Sequence, residues 1–439
     1  MKKKFGLLGE RLGHSYSPMI HGYLGNYEYK LYEITPSDLD AFMRQKRFDG
    51  INVTIPYKQA VIPYCASLSD EARKIGSVNT IIKDGDGLLH GHNTDYHGFR
   101  VMLERGGIDV NGKKALVLGN GGSARTVRSA LTGLGAREVV TISRRGEDNY
   151  GNISRHYDTD IIVNTTPVGM YPNNGETPLL LAGFTRLQGV ADLIYNPIKT
   201  KLLLEAERLG IPNVNGLTML AAQAEMASRL FTTGHMQPAP TPNGTAPTPA
   251  PAGDAVLCVP PELDDIIAKM HRQIQNIALI GMPGCGKTTV GRTLAQITDR
   301  PFVDIDEQIE SLAGKSIPEI FANDGEESFR SLETQALAEE SAKSGMVIAT
   351  GGGVVTRPEN LDLLRQNSLI IYLRRAPTEL ESQGRPLSET LGVETLANRR
   401  IPLYETWCDH TIDVTSTPEQ TAGMIMRLIT EQNRRLYNI

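Results

Sequence analysis

Short apolar runs punctuate the chain, and between them the apolar residues recur every three to four positions. Upstream, the runs at 5–9 (FGLLG), 51–55 (INVTI) and 115–119 (ALVLG) alternate with helical patterns such as TVRSALTGLG at 126–135. Downstream, NIALIG at 276–281 leads into a Gly loop and a helical stretch, followed by PFVDID (301–306), MVIATGGG (346–353) and LIIYLRR (369–375). Apolar strands alternating with amphipathic helices predict α/β architecture with mostly parallel sheets in both halves. No internal repeat relates the two.

The periodicity fails between Met236 and Ala255, where QPAPTPNGTAPTPAPAGD holds almost nothing a core could bury. This stretch predicts a Pro-rich linker. Beyond it, Leu263, Ile266, Ile267 and Met270 fall on one side of a short helical segment, and the second half is expected to begin near Gln275. At 439 residues the chain exceeds one ordinary core. The predicted domains are 1–100, completed by a helical segment at 217–234; 101–216; a linker with its short helix at 235–274; and 275–439. The expected fold is a two-lobed α/β unit with a Rossmann-like nucleotide domain, joined to a P-loop α/β domain.

Composition narrows the chemistry. With 45 Lys+Arg against 50 Asp+Glu, the net charge of −5 gives no reason to expect a nucleic-acid or membrane partner. Lys2, Lys3 and Lys4 begin the chain like a signal peptide, but Glu10 and Arg11 interrupt the apolar run that follows. No stretch approaches the ~18 apolar residues of a transmembrane helix. Cys65, Cys258, Cys285 and Cys408 show no CxxC spacing and fit reduced thiols, so a cytoplasmic protein is expected.

Two segments carry nucleotide chemistry. In ALVLGNGGSARTVRSAL (115–131) an apolar strand runs into a Gly turn and a helix. Gly119, Gly121, Gly122 and Ala124 let the backbone approach a pyrophosphate at the helix N-terminus, with Asn120 and Ser123 in the same loop. Such a turn alone is equally a structural bend; its flanking strand and helix favour the nucleotide. The next strand ends at Ser143, Arg144 and Arg145, where an NAD site would carry an acid, and the two guanidiniums suit the 2′-phosphate of NADP. The second segment, IALIGMPGCGKTTVGRTLA (277–295), is a full Walker A pattern in its strand–loop–helix context. Backbone amides from Gly281 through Gly284, Cys285 and Gly286 cradle phosphates, Lys287 reaches the β- and γ-phosphates, and Thr288, followed by Thr289, offers a hydroxyl to Mg²⁺.

The remaining motifs carry a family resemblance. GHSYSPMIH (13–21), GINVTIPYK (50–58), GSVNTI (76–81), GHNTDYHG (91–98), NTTPVGMYP (164–172), DLIYNPIKTKLL (192–203) and GLTMLAAQA (216–224) together resemble shikimate dehydrogenase from about Lys4 to Gly234. The resemblance implies that Ser15, Ser17, Thr54, Asn79, Asp95, Tyr195 and Gln223 bind the substrate's carboxylate and hydroxyls. It also implies that Lys58 and Asp95 are the catalytic pair, and that Leu193 and Gly216 meet the far side of the cofactor. The chemistry is coherent, since a lysine ammonium beside an aspartate can stabilise and protonate the oxygen of a ketone under reduction. Asn120 departs from the small apolar residue usual in the family, which implies at most a tuned cofactor affinity.

Behind the Walker A loop, FVDIDEQIE (302–310), FRSLE (329–333), ATGGGVV (349–355), GRPLS (384–388) and RRIPLY (399–404) resemble shikimate kinase from about Asn276 onward. By that resemblance Asp304 helps hold Mg²⁺, Asp306 contacts the attacking hydroxyl, and Arg330, Gly352, Gly353 and Arg400 hold shikimate. Arg385 would stabilise the transferring phosphoryl group from a lid that lacks a further basic residue common in the family. The two resemblances together imply NADPH-dependent reduction of 3-dehydroshikimate to shikimate, then ATP- and Mg²⁺-dependent phosphorylation to shikimate 3-phosphate. The rival readings are an NAD-dependent quinate/shikimate dehydrogenase fused to a small-molecule kinase, and a non-catalytic shikimate-binding regulator. A homo-oligomer formed through the dehydrogenase half stays open.

Overall fold

The computed structural model describes residues 3–13, 15–233, 261–380, 392–414 and 417–437. Residues 235–260 of the expected linker and Arg385 lie outside that range. The chain forms two compact units. The first comprises Met1–Val168, Thr177–Tyr195 and Glu205–Ile267, and the second Gly169–Glu176, Asn196–Leu204 and Ala268–Ile439.

Two sheets organise the first unit. Strands β1 (Lys4–Gly9), β2 (Glu28–Glu33), β3 (Gly50–Val53), β4 (Ser67–Leu68), β5 (Thr80–Lys83) and β6 (Leu89–His92) stand in the order β2-β1-β3-β5-β6-β4. This sheet is mixed, because β5 runs antiparallel to both β3 and β6. The cause is local. The five residues DGDGL between β5 and β6 are too few for a parallel crossover, and Asp84 fixes the reversal by accepting from the Asp86 and Leu88 amides at 3.0 and 2.8 Å. One apolar cluster of this unit holds Leu8, Met43, Phe48, Ile51, Val53 and Ile81. Another packs Phe5 and Ile82 with Leu230 and Phe231 of the helix Leu217–Thr233.

The second sheet is wholly parallel: β7 (Lys114–Leu118), β8 (Glu138–Ile142), β9 (Ile161–Asn164), β10 (Gly189–Asp192) and β11 (Asn213–Val214), in the order β11-β10-β9-β7-β8. Read in chain order this is a doubly wound 2-1-3-4-5 sheet whose direction switches between β7 and β9. A crevice opens at such a switch, beyond the strands' carboxyl ends. The helices Thr94–Arg105 and Gly122–Gly133 bury Phe99, Met102, Val127 and Leu131 against Val117 and Val163.

The second unit carries the parallel sheet β12 (Asn276–Ile280), β13 (Phe302–Asp304), β14 (Val347–Ala349), β15 (Ser368–Arg374) and β16 (His410–Asp413), ordered β13-β14-β12-β15-β16. Every residue of β12 is buried. Its side chains alternate, Ile277 and Leu279 entering one core and Ala278 and Ile280 the other, as a strand covered on both faces requires. Residues 169–176 and 196–204, which the sequence reading groups with the nucleotide domain, belong to this unit. Within it Lys199 N donates to the Gln366 carbonyl (2.8 Å), and Gln366 Nε2 to that of Asn174 (2.7 Å). The helix Pro261–Ile274 is divided between the units at 267/268.

Candidate active sites

In the first unit Lys58 and Asp95 meet. The ammonium lies 2.7 Å from Asp95 Oδ2, with the two side chains 17% and 12% exposed. Lys58 follows β3. Asp95 sits in the first turn of the helix Thr94–Arg105, capped by Asn93, whose side chain accepts from the Tyr96 amide at 3.2 Å. A carboxylate there faces the positive end of the helix dipole. Thr94 N donates to Asn79 Oδ1 (2.7 Å) and Asn79 Nδ2 to Thr94 Oγ1 (3.0 Å), while Gln223 Oε1 lies 3.5 Å from the Thr94 hydroxyl. Gln223 comes this close because Gly98 has no side chain; a β-carbon there would stand 2.6 Å from the Met219 carbonyl oxygen. Ser17 N donates to Ser15 Oγ at 3.2 Å, and the Tyr16 ring packs edge-on against Tyr195 at 5.7 Å. Burial holds the Tyr195 hydroxyl above its usual range. Thr54 directly follows β3, its amide bonded to the Leu8 carbonyl at 2.9 Å.

The Gly119–Ala124 turn lies at the switch point. Gly119 has φ of 103°, and a β-carbon on it would stand 2.9 Å from Thr165 Oγ1, so only glycine fits. Asn120, Gly121 and Gly122 are exposed, and the space beside both glycines is open, leaving backbone free to meet a ligand. Ala124 is buried in the core. Ser123 and Ser143 are half-buried, Arg144 and Arg145 exposed. Gly216 lies directly against the Leu193 carbonyl, where a β-carbon would collide.

In the second unit a cavity of about 540 Å³ is lined by Gly284, Gly286, Lys287, Thr288, Thr289, Asp304, Asp306, Arg330, Gly352, Gly353 and Arg400. The structure thus gathers the sequence-derived kinase residues around one space, apart from Gly281 and Cys285 in the loop behind it and Arg385. Gly281, Gly284 and Gly286 have φ of 147°, 80° and 103°. Lys287 Nζ donates back to the Gly281 and Met282 carbonyls at 2.9 and 3.0 Å. Thr288 Oγ1 donates to Asp304 Oδ2 (2.6 Å), and Asp304 Oδ1 accepts from the Asp306 amide (3.0 Å). Burial, then the like charges of Asp304 and Glu333, push Asp306 up to about 6.

Glu333 is a site residue that sequence reasoning quoted within FRSLE without giving it a role. Fully buried, it accepts from Arg330 Nη1 at 2.7 Å, and its other oxygen, Oε1, has no partner among the described residues. The Arg330–Glu333 i,i+3 spacing was the available signal. Arg400 Nη1 donates to the Gly352 carbonyl at 3.1 Å, as does the Tyr404 hydroxyl. A β-carbon on Gly353 would overlap the Arg330 guanidinium, and one on Gly351 would stand 2.8 Å from Asp306 Oδ1.

Comparison with known proteins finds relatives for both halves of the chain. Residues 7–81 match the family model of the shikimate dehydrogenase substrate binding domain, and residues 283–430 that of shikimate kinase. The shikimate dehydrogenases (NADP(+)) of Clostridium perfringens strain SM101 and Clostridium beijerinckii are each 37% identical to the chain. They align over 250 and 247 residues, 52% of this chain and 92% and 91% of theirs. Among solved structures, a chorismate mutase/shikimate 5-dehydrogenase fusion protein from Clostridium acetobutylicum aligns at 33% identity and TM-score 0.53, covering 62% of this chain and 97% of that one. The Thermus thermophilus shikimate 5-dehydrogenase in complex with NADP(H) and shikimate aligns at 29% and 0.51, covering 61% and 99%. With a dehydrogenase matched over nearly its full length and a kinase domain behind it, the chain belongs to the shikimate dehydrogenase family in its first half and is a bifunctional shikimate-pathway enzyme, NADP-linked dehydrogenase and ATP-dependent shikimate kinase in one polypeptide.

Proposed function

We propose that the first unit reduces 3-dehydroshikimate to shikimate with NADPH and that the second phosphorylates that product to shikimate 3-phosphate. The observation that carries the reading is the 2.7 Å Lys58–Asp95 pair, which sets an ammonium and a carboxylate side by side with both side chains mostly buried. NADPH supplies the hydride. Lys58 holds a proton at the ketone oxygen and stabilises the alkoxide, while Asp95 orients the ammonium and binds a ring hydroxyl. Asn79, Gln223 and Thr54 suit the remaining hydroxyls, and Ser15, Ser17 and Tyr195 the carboxylate. Arg144 and Arg145, exposed after β8, select NADPH through its 2′-phosphate.

In the kinase, ATP supplies the phosphoryl group. Asp306 accepts the proton of the attacking hydroxyl, and Arg330 and Arg400 hold the carboxylate. The all-oxygen pair Thr288 and Asp304 fits Mg²⁺. Among the described residues no three His, Cys, Asp or Glu group as a metal site of their own, so the ion would share its coordination with nucleotide phosphates. Arg385 is assigned to the transferring phosphoryl group. Among the described residues no helix is long and apolar enough to cross a membrane, and Cys65, Cys285 and Cys408 are free cysteines.

Two assays on the purified chain test the reading: absorbance at the nicotinamide band with shikimate or quinate against NADP⁺ or NAD⁺, and ADP release with shikimate and MgATP. Shikimate with NADP⁺ and shikimate with ATP are the expected active pairs. A preference for quinate with NAD⁺, or ADP release indifferent to shikimate, would overturn it.

A further inference from the structure

In the first unit, buried polar side chains form a hydrogen-bonded chain that ends on Asn79. It begins at Tyr29 on β2. Tyr29 donates to Asn52 Oδ1 at 2.8 Å, and Asn52 Nδ2 donates to Thr80 Oγ1 at 3.0 Å. Thr80 Oγ1 donates to Asn79 Oδ1 at 3.3 Å, the oxygen that also receives the Thr94 amide. Asn52 is 5% exposed, Asn79 3% and Thr80 0%. Asn52 lies on β3, where its neighbours Ile51 and Val53 enter the apolar core, and it pairs across the sheet with Thr80 of β5.

Hydroxyls can donate in either direction, but a carboxamide cannot, because its oxygen only accepts and its nitrogen only donates. Asn52 is therefore the member that gives the chain its direction. With its oxygen turned to Tyr29 and its nitrogen to Thr80, the Tyr29 proton is committed to Asn52, and the Thr80 proton is left for Asn79 Oδ1 at 3.3 Å or for the Thr94 hydroxyl, itself bonded to Asn79, at 3.2 Å. His21 stacks on Tyr29 at 3.9 Å, and its Nδ1 lies 2.7 Å from the Tyr27 hydroxyl.

We propose that Asn52 is a positioning residue for shikimate: held by Tyr29 on one side, it acts through Thr80 on the other to fix the orientation of Asn79. The inference rests on the assignment of Asn79 to the substrate. Asn52 touches neither the hydride path nor the Lys58–Asp95 pair, so its loss weakens substrate binding and leaves the chemical step. An isosteric apolar residue strands two buried hydroxyls at the cost of about one hydrogen bond, a tenfold effect at roughly 1.4 kcal/mol.

The test compares Asn52→Leu, Thr80→Val and Thr80→Ser in the full chain, with kinase rate in the same preparation as the control for integrity. Expected are shikimate KM values about tenfold higher for Asn52→Leu and Thr80→Val, with kcat and the NADP⁺ KM within about twofold of the parent. Thr80→Ser, which keeps the hydroxyl, should restore the shikimate KM. Should Asn52→Leu be insoluble, the Thr80→Val and Thr80→Ser pair decides. Unchanged shikimate KM in Thr80→Val, equal changes in kcat and both KM values, or a Thr80→Ser enzyme as impaired as Thr80→Val would overturn the proposal. A parent enzyme that fails to oxidise shikimate would instead sink the substrate assignment itself.

Discussion

Lys58 and Asp306 show how surroundings set what a single side chain can do. Lys58 holds its ammonium against Asp95, and a group acting on the developing alkoxide is worth two to three orders of magnitude in rate. Lys58→Ala should therefore lower dehydrogenase kcat about 10²–10³-fold without touching the kinase rate, measured by nicotinamide absorbance and ADP release on one preparation. Asp306 is the opposite case, a carboxyl pushed up to about 6 by burial and by its acidic neighbours. Its folded value lies above its unfolded one, so the folded state is favoured below about pH 4 and loses that advantage as pH rises through 6. Asp306→Asn removes the penalty. It should stabilise the unliganded kinase unit at pH 8 by about 3 kcal/mol at most, with the gain vanishing near pH 4, while abolishing phosphoryl transfer. Trp407, the chain's single tryptophan and buried in the kinase core, reports this unit's unfolding by fluorescence in urea. An equal midpoint for both proteins at pH 8 would contradict the assigned cost.

At the scale of elements, the Gly turn, the Walker A loop and the GGG segment were legible because each is a local pattern whose backbone geometry its own residues dictate. Their reasons were not, because these lie in partners distant in sequence: Gly353 under Arg330, Gly216 against Leu193, Gly98 against Gln223. Glu333 and Asn52 stayed silent for the same cause. A buried acid or amide reads as an ordinary surface residue until the fold shows what faces it. The antiparallel β5 could have been read from DGDGL, where Asp84 and two glycines signal a tight reversal. Gly353→Ala tests one such contact. The added methyl must displace the Arg330 guanidinium, so the kinase KM for shikimate should rise at least about tenfold, with the ATP KM within about twofold. Comparable losses for both substrates would place Arg330 elsewhere. Arg144→Ala with Arg145→Ala tests the turn after β8: the NADPH KM should rise at least about tenfold more than that of NADH, since only the 2′-phosphate loses partners. Equal losses would remove these arginines from cofactor selection.

At the scale of the molecule, each unit encloses cores of its own, with Phe99, Val117 and Ile161 in one and Ile280, Phe329 and Tyr404 in the other. The sequence could not show that 169–176 and 196–204 would group with the second unit, since contacts such as the Lys199–Gln366 hydrogen bond are tertiary. The central claim is that one polypeptide performs consecutive steps, the product of its first unit serving as substrate of its second. The most direct measurement supplies the purified chain with 3-dehydroshikimate, NADPH and MgATP and follows shikimate 3-phosphate by mass spectrometry alongside both cofactors. The account predicts one NADPH oxidised and one ADP released per shikimate 3-phosphate formed, with Lys287→Ala halting the reaction at shikimate while NADPH oxidation continues. NADPH oxidation without any shikimate 3-phosphate from the parent chain, or ADP release unrelated to shikimate, would contradict it.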